Sequence, residues 1–406
     1  MTDISAAPRL APAAPPAPRQ PAGPGPDPDR ARRLRRRTFT VDGVCAVLGS
    51  LFGSFGLVWL VYERILPFTG AAGFLLAWYA VFLLVLGTVT AMVWGARAVV
   101  DRIAATLMAT LGLIILALII DQIAYVTFTG RHALFHGNLF TQVMAFTGPD
   151  DPLTSGGVQH AVVGSVEQMA IATAIAVPLG ILAALFLVEV GGPMARPVRS
   201  LIEAMTSLPE IIAGLFILAL VVLTFGVPKS GFAAALALTV MMIPYVARSS
   251  EVMLRLVPRS LREASYALGA SQWRTVWNVV LPTARSGLTT AVVLGMARAI
   301  GETAPLLLVD GLNNYMNADP FHDWQTSLPL FIFEYVREPQ TVMRERAFAA
   351  AVVLMALVLV LFTIARLFGG KAPGELTRRQ RRRAARDRAL AAAERAREEG
   401  GGHVAA

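Results

Sequence analysis

Eight apolar runs divide the chain: residues 44–62, 71–95, 103–120, 169–188, 211–227, 231–247, 287–309 and 347–365. A bilayer core of about 30 Å takes roughly 20 apolar residues as a helix, and most of these runs reach that length. Lipid offers no hydrogen bonds, so a segment that crosses it has to satisfy its backbone internally, as a helix or a closed barrel. The runs are continuous rather than alternating, which selects helices. With 55% hydrophobic and only 16% charged residues in 406, the chain is too apolar for a soluble protein of its size. The expected fold class is an all-α polytopic membrane protein with about eight transmembrane helices. The fifth and sixth runs flank Pro228-Lys229-Ser230, which reads as a tight hairpin between antiparallel helices.

The net charge of +9 gathers in the two tails, with Arg30, Arg32, Arg33, Arg35, Arg36 and Arg37 before the first run and a matching cluster after Lys371. Positive flanks stay inside, so both tails are expected to be cytoplasmic, and an even number of spans agrees with that. Arg36-Arg37 resembles an export signal, but seven more runs follow and no cleavage site stands out, so the first run reads as an uncleaved helix. The first 29 residues or so are rich in Pro and Ala and read as disordered. Residues 371–406 read as a solvated helix without an apolar face. Cys45 is the only cysteine, which excludes a disulfide framework and a thiolate metal site. Residues 121–168, with Gly148-Pro149-Asp150-Asp151-Pro152, read as an external loop; His132 and His136 are four apart there, but nothing nearby nominates a third metal ligand.

Arg298 and Glu302 interrupt the run 287–309. On a continuous helix Arg298 would lie about 16 Å from Gly287, half of a bilayer core. An unpaired charge there costs at least about 2.5 kcal/mol, so it must be paired or face an internal cavity. Glu302 is one turn away on the same face. Such a pair fits a register device, a proton relay or a gate on an anion path. Arginine suits a tetrahedral oxyanion because its planar fork donates two parallel hydrogen bonds and stays charged.

Between the sixth and seventh runs, Ser260 and Glu263 have capping-box spacing, the serine accepting from the Glu263 amide and the glutamate reaching back. Leu261, Ala264 and Leu268 then share one stripe, and Gly269 permits the positive φ that turns the chain into a second short helix. This amphipathic helix either rests on headgroups or docks on a soluble partner. The chain has only two lysines, Lys229 and Lys371, and neither stands in a Gly-x-x-x-x-Gly-Lys-Ser/Thr loop. ATP-driven work would therefore need a separate subunit. No Ser/His/Asp, Cys/His or metal constellation gathers on one side of the membrane, so an enzyme is not expected.

Glu263-Ala264-Ser265, Gly269 and Leu281-Pro282 resemble the coupling loop of ABC importer permeases, with serine where the family has a second alanine. Arg298-Ala-Ile-Gly301-Glu302-Thr-Ala-Pro305-Leu-Leu closely resembles the signature of PstA-type permeases of phosphate importers. Gly180 after Pro178, and Gly214 after Leu208-Pro209, sit where that family has glycines; at Glu210 it more often has serine. The likeness covers about residues 104–368. It implies a type I, MetI-like core of six helices in 101–370, with a coupling helix in 258–275, two additional helices in 41–100, and basic tails in 1–40 and 371–406. It also implies that Ser260, Glu263, Ala264, Leu268 and Gly269 couple to an ATPase and that Arg298 and Glu302 line a phosphate path. The implied partners are a PstC-like permease, a PstB-like ATPase dimer that uses ATP and Mg, and a PstS-like phosphate-binding protein; the chain itself would bind no cofactor. Other readings are a permease for another oxyanion, a proton-coupled secondary transporter, and a membrane scaffold.

Overall fold

The computed structural model describes residues 41–65, 70–369 and Arg386, and every regular element among them is helical. Apart from Arg386, the basic tails expected at 1–40 and 371–406 lie outside the described residues. Two compact units divide the chain, one up to Leu118 and one from Ile119.

In the first unit, α1 (Val41–Trp59, continued by a π-helical segment Leu60–Ile65) pairs with α2 (Ala71–Trp94). Aromatic rings hold the pair: Phe55 meets Phe74 and Trp78 edge-on, each with centroids 5.6 Å apart. The indole of Trp78 donates to the Leu51 carbonyl at 3.3 Å. The next helix, α3 (Ala96–Leu134), has 39 residues and runs through the division. Its roughly 58 Å far exceed a bilayer core. Residues 121–134, expected as the start of an external loop, are therefore its last turns.

The second unit is built on α4 (Gln159–Leu185, extended through Val190) and α7 (Gly231–Arg255). Ala172, Ala176, Ala233, Ala234 and Ala237 are fully buried in the core that these helices share with Met169, Leu238 and Met242. Lipid tails are as apolar as leucine, so helices in a membrane associate by close packing, which small residues allow. Gly180 carries this furthest. A Cβ there would stand 2.8 Å from a Val246 methyl and 3.2 Å from the Ala247 amide.

Between α4 and α7 the chain forms α5 (Ala195–Ser207) and α6 (Glu210–Ile217), with the segment Glu210–Thr224 bent by 107° from α5 at Pro209. After α7 come α8 (Arg259–Ala267), α9 (Gln272–Thr275), α10 (Leu281–Ala299), α11 (Leu306–Val309), α12 (Leu328–Tyr335) and α13 (Thr341–Gly369).

Seven helices are long and apolar enough to cross a membrane, and the bent pair would be an eighth. Two expected spans differ from the structure. The run 211–227 belongs to that bent pair, because its 15-residue helical part, about 22 Å, is too short to cross alone. The run 287–309 is not one helix: α10 ends at Ala299 and the chain resumes as α11. Pro305 has no amide hydrogen and its ring would collide with the carbonyl four residues back, so the helix cannot continue through it.

Away from α8, a loop after α11 is sewn to α4. Gln168 donates to the Asp310 carboxylate at 2.9 Å and to the Gln325 carbonyl at 2.8 Å, while the Gln325 amide donates to Asp310 at 2.8 Å. Arg346 of α13, 1% exposed, has Nη2 within 3.0 Å of the carbonyls of Asp151, Pro152 and Ser155. The Pro/Gly-rich loop thus folds around a buried guanidinium.

The α4–α7 contact sets a prediction. Gly180→Val forces its neighbours apart and should destabilise the bundle by about 1–3 kcal/mol, with Gly180→Ala less severe. Thermal melting of the purified variants reads both; equal melting for all three proteins would contradict this account.

Candidate functional site

Arg298 occupies the last turn of α10, where a cation complements the partial negative charge of the helix end. It is therefore at a helix terminus rather than within a continuous span. Two carboxylates meet its guanidinium: Nη1 pairs with Glu302, and Nη2 with Glu210. Glu210 opens α6, at the end where the partial charge is positive. The ion cluster thus joins the C-terminal end of one helix to the N-terminal end of another. Each charge sits at the terminus that favours it.

Two features of the backbone make this meeting possible. Beyond α10 the chain turns, the Glu302 amide donating to the Ala299 carbonyl at 3.2 Å, and this returns Glu302 toward the arginine. Gly214, one turn after Glu210 on α6, leaves room for Pro305; a Cβ would stand 2.7 Å from the Pro305 Cα. Tyr245 of α7 adds its ring, with the Arg298 Cζ 5.7 Å from the centroid.

The two carboxylates are not equivalent. The Glu302 side chain is 7% exposed, against 38% for Glu210 and 40% for Arg298. Glu210 and Arg298 face a cavity of about 310 Å³, which Thr206, Ser207 and Tyr245 also line. Glu302 holds the arginine from behind, and Glu210 covers its open side. An anion entering the cavity meets hydroxyl donors and a guanidinium whose exposed partner it can replace.

The second group of candidate residues lies at the other end of α7. α8 starts at Pro258, which takes the capping position without a side-chain hydrogen bond. The expected capping box is therefore absent: Ser260 is the second helical residue and exposed, too far into the first turn to cap it. Proline supplies a preset φ instead, and the helix begins earlier than the box would place it. Gly269 does take φ 80° and turns the chain toward α9. Ser265 then reaches across the turn to Thr275, hydroxyl to hydroxyl at 2.9 Å.

No residue of α8 is buried. Leu261, Ala264 and Leu268 are all exposed, Leu268 by 90%, beside exposed Tyr266 and Trp273. Glu263 lines a cavity of about 500 Å³ with Arg255, Arg259, Arg262 and Tyr266. The helix is anchored to the bundle by Arg262, which donates to Glu189 at the end of α4 at 2.8 Å and to the carbonyls of Leu254 and Val257 at 3.0 and 2.7 Å. Gln272 donates to the Glu189 carbonyl as well.

Glu210, Glu189, Arg262 and Tyr245 are absent from the residues nominated on the sequence. A carboxylate at the edge of an apolar run reads as an ordinary membrane boundary, which hides Glu189 and Glu210. One signal was available for Glu210: it stands where relatives more often carry serine. Among the nominated residues, Arg298 and Glu302 are brought together, and Glu263, Ala264, Leu268 and Gly269 share one exposed face region.

The geometry predicts unequal couplings. In double-mutant cycles followed by thermal unfolding, Arg298 with Glu302 should couple by more than Arg298 with Glu210, within the range of about 0.5–3 kcal/mol for contacting charges. The shielded pair is the stronger because solvent screens it less.

Residues 176–372 match the family model of the binding-protein-dependent transport system inner membrane component. The chain is 42% identical over 205 residues to phosphate transport system permease protein PstA 1 of Mycobacterium tuberculosis (strain CDC 1551 / Oshkosh), covering 50% of this chain and 67% of that protein. It is 38% identical over 263 residues to PstA of Mycobacterium leprae, covering 64% and 86%. With PstA of Pasteurella multocida it shares 37% identity over 219 residues, covering 53% and 78%. The matched region contains both the Arg298 cluster and the α8–α9 turn, and the chain belongs to the PstA family of multi-pass inner-membrane permease components.

Proposed function

We propose that this chain is the permease subunit of an ATP-driven importer of inorganic phosphate, with Arg298 as the residue that receives the anion. The observation that carries the reading is the arginine held between a shielded Glu302 and an exposed Glu210 at the wall of a cavity. The names of the relatives support phosphate as the substrate. In the empty site Glu210 neutralises the open side of the guanidinium. Phosphate replaces Glu210, and the guanidinium donates to two of its oxygens. Return of Glu210 when the bundle rearranges expels the anion, so passage follows the conformational cycle rather than one fixed tight site. Displacing Glu210 rather than Glu302 is the lower-energy route, since an uncovered Glu302 would remain in a poorly solvated place.

Both termini and the α8–α9 turn are assigned to the cytoplasmic side, in agreement with the basic tails. There α8 docks on an ATPase dimer like PstB, which binds and hydrolyses ATP with Mg. A second permease like PstC completes the path, and a binding protein like PstS delivers phosphate from the far side. The exposed Leu261, Tyr266, Leu268 and Trp273 support a protein partner for this turn. Ser260, Glu263, Ala264, Leu268 and Gly269 form the coupling element, and Arg262 with Glu189 ties it to α4.

Uptake of labelled phosphate tests the proposal in cells lacking this subunit and supplied with wild type, Glu263→Ala or Arg298→Gln. Wild type should restore uptake. Arg298→Gln should reduce it at least about tenfold, the equivalent of one lost charged hydrogen bond. Glu263→Ala should lower uptake and weaken recovery of the ATPase with the membrane complex. Normal uptake by a correctly inserted Arg298→Gln protein would refute the role of the arginine; uptake that needs no ATPase would refute the importer reading itself.

A further inference from the structure

A second cavity, of about 420 Å³, opens where the end of α7, the start of α10 and the end of α13 meet. Its composition changes along its length. At one end stand Arg366, Thr283, Ser286 and Thr290; toward the other stand Met253, Val293 and Phe362. From Val293 and Phe362 a narrow and wholly apolar slot continues between α10 and α13, past Met296, Leu361 and Val358 to Ile300. On α10 the lining positions 283, 286, 290, 293, 297 and 300 recur every three or four residues, so the cavity and slot form one groove along one helix face. Phe362 and Val358 lie one and two turns from Arg366 on α13 and supply its opposite wall. From 283 to 300 the groove runs about 25 Å.

The polar end has unused capacity. Arg366 has no ion pair or hydrogen bond with any described residue, and no acidic residue lines the cavity. The Ser286 hydroxyl is shielded from solvent and has no partner. Thr290 spends its proton on the Ser286 carbonyl at 3.0 Å and keeps its oxygen as an acceptor. A cation and hydroxyls at one end of an apolar slot match a molecule with an anionic head and a hydrocarbon tail.

We propose that this groove is a binding site for an anionic phospholipid, its phosphate against Arg366 and Ser286 and one acyl chain along α10 and α13 as far as Ile300. On the orientation given above, the head lies at the cytoplasmic surface, where anionic lipid is concentrated. The slot excludes a helix of another subunit, which is about 10 Å across. The site is separate from the Arg298 cavity and shares none of its lining residues.

The test uses the full chain purified in mild detergent, incubated with phosphatidylglycerol or phosphatidylcholine of the same acyl chains, with bound lipid counted by native mass spectrometry. Wild type should retain phosphatidylglycerol in preference. Arg366→Gln should lower that retention about fivefold while Arg366→Lys keeps most of it. Thr290→Trp, which fills the groove from an exposed position, should lower retention of both lipids with melting unchanged. Equal retention of the two lipids by wild type, retention of phosphatidylglycerol that excess inorganic phosphate abolishes, or no effect of either Arg366→Gln or Thr290→Trp would overturn the proposal.

Discussion

One guanidinium in an apolar bundle organises the centre of this molecule. Arg298 cannot be left bare beside hydrocarbon, and a single carboxylate one turn away would merely cancel it. The structure instead brings a second carboxylate from another helix. This requires two interruptions of regular structure, the bend at Pro209 that starts α6 with Glu210 and the break at Gly301–Pro305 that ends α10 just past Arg298. Both ends carry the charge that their helix dipoles favour. The interruptions are thus where function is concentrated, since they free backbone and charge in a region where unbroken helices would bury both.

The exposed turn around α8 and the Arg298 cluster are joined by the two most closely packed helices. Glu189 at the end of α4 receives Arg262, and α4 packs through Gly180 on α7. α7 in turn presents Tyr245 to Arg298. A displacement of α8 would be transmitted through tightly packed small residues that leave little room for compression. Arg346 and the Asp310 network hold the opposite end, where loops would otherwise be the softest part of the bundle.

Much of this was legible in sequence because membrane helices are written in long apolar runs. The additional pair α1 and α2, the close-packed α4 and α7, and the positive φ at Gly269 all follow from residue type alone. The misreadings share a cause. The run 287–309 kept its apolar character through Gly301 and Pro305, so hydropathy concealed a break that proline chemistry enforces. The capping box at Ser260 and Glu263 satisfied a local pattern, but Pro258 began the helix sooner and left Ser260 exposed.

The sequence by itself determined that the chain is a bundle of membrane helices, that Arg298 must be paired, and that a short amphipathic helix stands outside the apolar runs, because each follows from the cost of placing backbone or charge in hydrocarbon. Only the tertiary structure decided that Arg298 has two partners and that Glu210 is the exposed one. Glu210 and Arg298 are 88 positions apart, with no local pattern linking them. Their contact exists because Gly214 admits Pro305 at backbone distance, and close approach of that kind is a property of packed surfaces that no run of neighbouring residues encodes.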